Sequence, residues 1–191
     1  LQPQELHHPP SWENALFFQT PTSLTTKLPV VIDVGAMGKG YLIDIVSELL
    51  WQRGLRSYCI DAGGDILSRS ATNEALSIAI EHPEDTTTAI GIAKICNNSI
   101  CGSAGNRRAW EEFHHIINPE TLSSPRDILG IWTIARTTML ADAMSTALFF
   151  CPPQILLAHF LFDYLILYPN QTVQASPTFP VELFTTPMSP S

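Results

Sequence analysis

Most of the hydrophobic pattern along this chain consists of short apolar runs or of alternating apolar and polar residues. Apolar positions at helical spacing are less frequent. The short runs and alternations predict strands at 15–19, 30–33, 57–61, 76–81, 113–117, 128–135, 164–168 and 172–175, and one or two strands over 89–101 with a turn at Asn97-Asn98. Helical spacing predicts helices over 42–51 and 138–150 and a short one over 155–162. Strands and helices mix without a strict strand–helix–strand rhythm, so the pattern favours an α+β fold over a doubly wound sheet.

The first predicted helix, 42–51, is amphipathic. It is expected to end near Gly54, because glycine is common just past a helix C-terminus. Its apolar positions share one face, which is expected to pack on the core: Leu42, Ile45, Val46, Leu49 and Leu50.

The length and composition predict one ordinary globular domain. The 191 residues are 45% hydrophobic, which is enough to bury a full core. We expect a loosely ordered lead-in over 1–29, a single domain over 30–175 and an extended, proline-rich tail over 176–191.

Charge and cysteine usage narrow the function classes. A net charge of -8 with ten Lys plus Arg, of which only Arg107 and Arg108 are adjacent, argues against a nucleic-acid surface. No run approaches the ~20 apolar residues of a membrane helix. The chain begins at Leu1 without a charged segment followed by an apolar one, as a leader would have, so a processed or shortened chain is expected. The cysteines lack zinc-site spacing, and Cys59 and Cys101 lie in apolar runs that predict buried thiols.

The glycine-rich segment 33–41 (Asp-Val-Gly-Ala-Met-Gly-Lys-Gly-Tyr) has the strongest chemical signal. A strand that enters a helix through glycines and a lysine can bring backbone N–H groups and a cation against a phosphate. Gly40 stands where a Walker loop needs Ser or Thr, and the glycine spacing does not match the dinucleotide fingerprint. The alternative is a glycine turn that binds nothing.

Two further segments add carboxylates. The segment 61–65 (Asp-Ala-Gly-Gly-Asp) ends a predicted strand and allows close approach of a flat ligand, or is a tight turn with solvated acids. Asp142 and Thr146 lie one helical turn apart, so their oxygens could share a Mg²⁺ ion. The alternative for this pair is local: Thr146 bonds a backbone carbonyl and Asp142 favours the helix start.

Two polar segments complete the candidates. His114 and His115 begin a predicted strand, and because neighbouring strand residues face opposite sides, at most one of them can enter a given site. That histidine is a candidate general base, with a structural role as the alternative. The turn 103–108 could reach an anionic ligand.

Taken together, these segments resemble the ApbE family of FAD:protein FMN transferases. The family element D-[LV]-G-[GA]-[IM]-[AG]-K-G-Y-x-x-D is matched at 33–44, and N-x-G-G-D at 61–65. The elements T-S-G-[DN], H-I-[IV]-[DN]-P and A-D-A-[LM]-[AS]-T-A-L-F are matched at 103–106, 115–119 and 141–149. Asp61 and Ala104 depart from the Asn and Ser of the family, and the chain preceding the lysine motif is shorter than in family members.

The resemblance implies a single ApbE-like (T-fold-like) domain, short at its N-terminus, with mixed, largely antiparallel sheets flanked by helices. The implied activity is Mg²⁺-dependent: FAD is cleaved, FMN is joined through its phosphate to a threonine of a target flavoprotein, and AMP leaves. FAD and that flavoprotein are the implied partners, with no nucleic acid and no membrane-spanning segment. The resemblance also suggests export or membrane anchoring.

The resemblance further implies roles for single residues. Asp142, Thr146 and the carbonyl of Ala36 are expected to hold Mg²⁺. Lys39, with the amides of the glycine turn, is expected to face the phosphates, and His115 to take the proton of the acceptor hydroxyl. The cofactor-binding set includes Lys39 and His115 together with Gly35, Met37, Gly38, Gly40, Tyr41, Asp44, Asp61, Gly63, Gly64, Asp65, Ser103, Gly105 and Ile116.

Two other functions stay open beside the transferase. One is a FAD-binding or FAD-hydrolysing relative, in which water replaces the threonine. The other is a catalytically silent, truncated domain that acts as a partner. Retention of Lys39, His115, Asp142 and Thr146 favours an enzyme, because packing alone does not require all four residue types.

Overall fold

Antiparallel pairing organises the strands in the computed structural model, which describes residues 7–20, 22–105, 109–110 and 113–184. The helices are α1 (Trp12–Ala15), α2 (Gly38–Gln52), α3 (Thr138–Ala147) and α4 (Pro153–Leu157). The first strands are β1 (Leu16–Thr20), β2 (Ser23–Thr26), β3 (Tyr58–Asp61), β4 (Ile66–Arg69), β5 (Leu76–His82), β6 (Asp85–Ile95) and β7 (Ser99–Ala104). The remaining strands are β8 (Ala109–Trp110), β9 (Phe113–His114), β10 (Gly130–Ala135), β11 (Asp163–Leu167), β12 (Val173–Ala175) and β13 (Val181–Leu183).

The main sheet has six strands in the order β12-β11-β10-β7-β4-β3. Each neighbouring pair in it is antiparallel. A second sheet has the order β13-β6-β5, and β1-β2 and β8-β9 form two-stranded ribbons. The predicted α+β fold with largely antiparallel sheets and flanking helices is therefore confirmed.

The main sheet has a core on each of its faces. Because side chains alternate along a strand, Ile131 and Ile166 point to one face and Ile134 and Leu165 to the other. The first pair belongs to a cluster with side chains of α3 such as Met144. The second pair packs with residues of the three-stranded sheet. Helix α3 therefore packs on the face of the sheet that contains Ile131 and Ile166, where it contacts β7 and β10.

Helix α2 packs on α3 through a different face from the predicted one. Its buried residues are Gly40, Ile43 and Ser47. Of the predicted apolar face, Leu42, Ile45, Val46 and Leu49 are 37–60% exposed, and Leu50 is half-buried. The prediction was wrong because two of the three buried residues, Gly40 and Ser47, are small, and small residues let two helices approach closely.

Several predicted boundaries also differ. Residues 30–33 are not paired with any strand of the described residues, and Val31 is 97% exposed. Valine and isoleucine favour a strand, but a strand also needs a partner for its hydrogen bonds, and none is supplied there. The strand predicted over 113–117 is limited to β9, the helix predicted over 138–150 ends at Ala147, and the tail contains β13.

Of the two cysteines predicted to be buried, one is buried and the other is exposed. Cys101 is fully buried, as predicted, whereas Cys59 is exposed on the edge strand β3. All four cysteines are free. Within the described part of the chain, no helix is long and apolar enough to span a membrane.

Candidate functional site

Five separate parts of the chain line one open cleft of about 550 Å³. They are the glycine turn with the start of α2, the turn between β3 and β4, the end of β7, the loop after β9, and α3 with the residues just after it. The lining residues are Asp33, Gly35, Ala36, Lys39, Gly63, Gly102, Ser103, Ala104, His115, Ile116, Ile117, Asp142, Thr146 and Phe150.

The glycine turn is held by its own hydrogen bonds. Asp33 Oδ1 accepts from Gly35 N at 2.6 Å, and Val34 O accepts from Met37 N at 3.0 Å and Gly38 N at 2.7 Å. These bonds begin α2 at Gly38 and bring Ala36 and Lys39 to the cleft. They also occupy the amides of Gly35, Met37 and Gly38, so these three amides are not available to a ligand in this conformation.

Gly40 joins α2 to α3 at the cleft. Its N–H donates to Asp142 Oδ2 at 2.9 Å in a buried hydrogen bond. A Cβ atom on this glycine would lie 2.9 Å from Asp142 Cβ and closer still to the backbone of Thr138. No larger residue fits without movement of a helix, so this position requires glycine for close approach.

The carboxyl group of Asp142 is buried in the wall of the cleft. The residue is only 7% exposed. Burial raises its pKa to about 6, with a further upward contribution from Asp65, while the Gly40 N–H bond and the Lys39 charge lower the pKa. A cation in the cleft would favour the ionised form.

Lys39 bridges a buried acid and the open cleft. Its Nζ lies 2.8 Å from Asp65 Oδ2, and its side chain is 47% exposed, whereas that of Asp65 is 2% exposed. Gly63 and Gly64 adopt positive φ angles of 71° and 94°, and Asp61 Oδ1 accepts from Gly64 N at 2.9 Å. This turn directs Asp65 inward, behind Lys39.

A chain of hydroxyl groups connects β7 to α3. Ser103 Oγ lies 2.7 Å from Ser145 Oγ and 3.5 Å from Thr146 Oγ1. Ser145 Oγ donates to the carbonyl of Asp142 at 2.8 Å. Ser145 was missed from the sequence as a site residue. Its position three residues after Asp142, on the same helix, is the signal that could have found it.

The two neighbouring histidines have different surroundings. His114 Nδ1 accepts from Ile116 N at 3.3 Å, and its Nε2 lies 2.8 Å from Pro125 O. A neutral ring protonated at Nε2 satisfies both contacts, which indicates a structural role. His115 is exposed and lines the cleft. The two rings are separated as predicted, but His115 lies just beyond the two-residue strand β9, so strand alternation is not the cause.

Asp44 has a role that the sequence does not predict. Its Oδ1 accepts from Thr138 N at 2.8 Å and its Oδ2 from Met139 N at 2.9 Å, which caps the first turn of α3. A carboxylate at this position also interacts favourably with the helix dipole. Asp44 is outside the cleft lining, and the two bonds give it a capping role.

The cleft contains about half of the predicted site residues. The predicted residues that line it are Gly35, Ala36, Lys39, Gly63, Ser103, His115, Ile116, Asp142 and Thr146. Those outside its lining are Met37, Gly38, Gly40, Tyr41, Asp44, Asp61, Gly64, Asp65 and Gly105. Gly105 packs instead against the ring of His114, and Gly64 lines an adjacent apolar cavity with Trp132. Residues 106–108 of the predicted anion-binding turn lie outside the described residues.

The candidate metal ligands differ from a cluster of acids or histidines. Among the described residues, no three or more His, Cys, Asp or Glu side chains are grouped to hold a metal. The expected ligands Asp142, Thr146 and Ala36 line the cleft instead and can offer a carboxylate, a hydroxyl and a carbonyl oxygen. Asp33 and Ser103 line the same cleft. Such an oxygen set suits Mg²⁺, which keeps several waters or ligand phosphates in its coordination shell.

Comparison with known proteins identifies the family. The model of the ApbE family matches residues 3–160. The chain is 34% identical over 137 residues to the FAD:protein FMN transferase of Haemophilus influenzae, covering 66% of this chain and 40% of that protein. It is 30% identical over 165 residues to the one from Treponema pallidum, covering 76% of this chain and 46% of that protein.

A solved structure shares the fold. The ApbE protein of Thermotoga maritima superposes with a TM-score of 0.77 at 23% sequence identity, covering 90% of this chain and 60% of that one. The chain spans less than half the length of the two transferases named above.

Proposed function

Because the chain belongs to the ApbE family, we propose that it is a Mg²⁺-dependent FAD:protein FMN transferase. One observation carries the proposal: Lys39, His115, Asp142 and Thr146, from three distant segments, line a single cleft. Phosphoryl transfer needs mainly positioned charge and an oriented nucleophile. The cleft offers both an ammonium group and oxygen ligands for a metal ion.

The residues fit a magnesium ion. Asp142, Thr146 and the carbonyl of Ala36 would hold it, and the buried carboxyl of Asp142 has a raised pKa that a cation would offset. Bound Mg²⁺ supplies positive charge that polarises the diphosphate of FAD. The ammonium of Lys39 contributes a second positive charge at the same cleft.

The proposed reaction is a single displacement at phosphorus. The threonine hydroxyl oxygen of the acceptor forms a bond to the FMN phosphorus, and the bond from that phosphorus to the bridging oxygen breaks. AMP leaves with the bridging oxygen and its electron pair. His115 takes the hydroxyl proton, since a threonine hydroxyl is a weak nucleophile that needs a base. The exposed position of His115 at the cleft allows a protein side chain to reach it.

The test is incubation with FAD and Mg²⁺, with and without threonine-containing acceptor peptides. AMP is measured by chromatography and peptide mass by mass spectrometry. A peptide that gains the mass of FMN, with one AMP released for each transfer, supports the transferase. FMN and AMP released equally without peptide support the hydrolase, and no FAD binding supports a silent domain.

Histidine variants sharpen this test. His115→Ala is expected to lower transfer at least ~100-fold, the usual contribution of a positioned base, while FAD binding is retained. His159→Ala is the matched control, because His159 is exposed beyond α4 and is outside the cleft lining. Equal activity of the two variants would contradict the role of His115.

A further inference from the structure

The carboxyl of Asp65 is more deeply buried than that of any other acid near the cleft. The residue is 1% exposed, against 7% for Asp142, and does not line the cleft. A ligand in the cleft therefore cannot touch Asp65 in this conformation. We propose that Asp65 is a positioning residue, which holds the ammonium of Lys39 at the cleft for the diphosphate. The inference rests on the proposed function.

The contact between the two residues is specific. Asp65 Oδ2 lies 2.8 Å from Lys39 Nζ. Among the described residues this oxygen accepts no hydrogen bond of regular geometry, and Lys39 is the cation that faces it. The thiol of Cys101 also interacts with the Asp65 carboxylate, but it carries no positive charge. A buried carboxylate that loses its cation partner is costly, which favours a conformation with the lysine in place.

Lys39 has the complementary property. Its side chain is 47% exposed, so its ammonium contacts the buried acid on one side and open cleft on the other. A free lysine side chain samples many rotamers and loses conformational entropy when it is fixed. The pair with Asp65 limits this freedom before a substrate arrives, which is how a preorganised charge assists phosphoryl transfer.

The backbone around Asp65 fixes the orientation of its carboxylate toward Lys39. Asp65 directly precedes β4 in the turn from β3, and Ala62 N donates to its carbonyl at 3.0 Å. The positive φ angles of Gly63 and Gly64 are needed to make the turn, and β4 pairs with β7 inside the main sheet. The anion is therefore fixed by a paired hairpin, not by a free loop.

A double-mutant cycle tests the inference. The variants are Lys39→Met, Asp65→Asn and the double variant, with Asp85→Asn at the exposed tip between β5 and β6 as the control. We expect Asp65→Asn to lower kcat for FAD cleavage at least tenfold without raising KM for FAD. In the Lys39→Met background, the same change should alter kcat less than twofold, because Asp65 acts through Lys39.

Two results would overturn the inference. One is an Asp65→Asn variant that keeps kcat within twofold of the wild type. The other is a double variant whose loss equals the product of the single losses, which means that Asp65 acts independently of Lys39. If Asp65→Asn does not fold, Asp65→Ser carries the same comparison in a smaller side chain.

A second measurement does not depend on turnover. Nitrogen-15 NMR of the lysine ammonium groups, with Lys39 assigned by its loss in Lys39→Met, reports how restricted Nζ is. We expect a restricted Lys39 ammonium in the wild type and a mobile one in Asp65→Asn. Unchanged mobility would overturn the inference even in an active enzyme. Absence of turnover with the expected NMR result would count against the proposed function alone.

Discussion

Replacement of Asp142 by asparagine should stabilise the protein while it removes the candidate metal ligand. Asparagine has nearly the same shape, and its side-chain oxygen can still accept the Gly40 N–H bond. It carries no charge to bury. The stability change therefore measures what the buried carboxylate costs the fold.

The magnitude follows from the pKa of Asp142. Burial and the neighbouring Asp65 raise that pKa from its ordinary value of 3.8 to about 6. A difference of about two units corresponds to roughly 3 kcal/mol at pH values above both. This net pKa already includes the attraction to Lys39. Solvent screening in the open cleft reduces the gain, so we expect an increase of about 1–3 kcal/mol in the free energy of unfolding at pH 7.5.

The sign of the pH dependence is specific. A group with a raised folded-state pKa adds stability below pH 4, and this contribution is lost as the pH rises through about 6. The advantage of Asp142→Asn should therefore be absent at pH 3.5, grow between pH 4 and 6, and level off above pH 7. Asp85, whose pKa is lowered by hydrogen bonds from Thr87, is the contrasting position, where asparagine should give no advantage at neutral pH.

The assay is urea unfolding monitored by circular dichroism between pH 3.5 and 8, with EDTA present so that no divalent cation stabilises the wild type. A gain that is the same at every pH would show that the side chain acts through packing and not through charge. A loss of stability at pH 7.5 would refute the burial argument outright.

Three further variants or measurements test the packing around the cleft. Gly40→Ala should cost about 1–3 kcal/mol in the free energy of unfolding, because the new Cβ overlaps the backbone of Thr138; unchanged urea unfolding would contradict the close approach of α2 and α3. Asp44→Ala should lower the free energy of unfolding by about 0.5–2 kcal/mol through loss of the α3 cap. The stability of Asp44→Asn should lie between that of Asp44→Ala and that of the wild type. Equal stability of both variants and the wild type would contradict capping. In the native protein, a thiol reagent should modify the exposed Cys59 and leave Cys101 unmodified until urea is added. Cys101 is buried, and burial is the main cause of the raised pKa of its thiol. Rapid modification of Cys101, located by peptide mapping, would contradict its burial.

The sequence predicted those features that depend on local pattern. The presence of a helix after the glycine turn, the strands β11 and β12 and the α+β class all follow from residue spacing and turn residues, although α2 begins at Gly38 and not at the predicted Leu42. The separation of His114 from His115 was also predicted, although His115 lies just beyond β9 and strand alternation is not its cause. These features need no knowledge of which parts of the chain meet.

Features that depend on contacts between distant segments could not be predicted. The buried face of α2 is decided by the fit of Gly40 against α3, which lies about a hundred residues away, and apolar content alone indicated the wrong face. Asp44 and Asp65 look like ordinary acids in the sequence. Their roles became visible only when the structure placed one at a helix start and the other behind a lysine.

The central claim is that one metal ion and one lysine act on the same diphosphate, and calorimetric titration of FAD tests it most directly. The titrations are made with and without Mg²⁺, on the wild type and on Asp142→Asn. We predict that Mg²⁺ raises the affinity of the wild type for FAD at least tenfold and that of Asp142→Asn less than twofold, because binding of the two ligands is reciprocal. An equal effect of Mg²⁺ on both proteins, or FAD affinity that is indifferent to Mg²⁺ in the wild type, would contradict the claim.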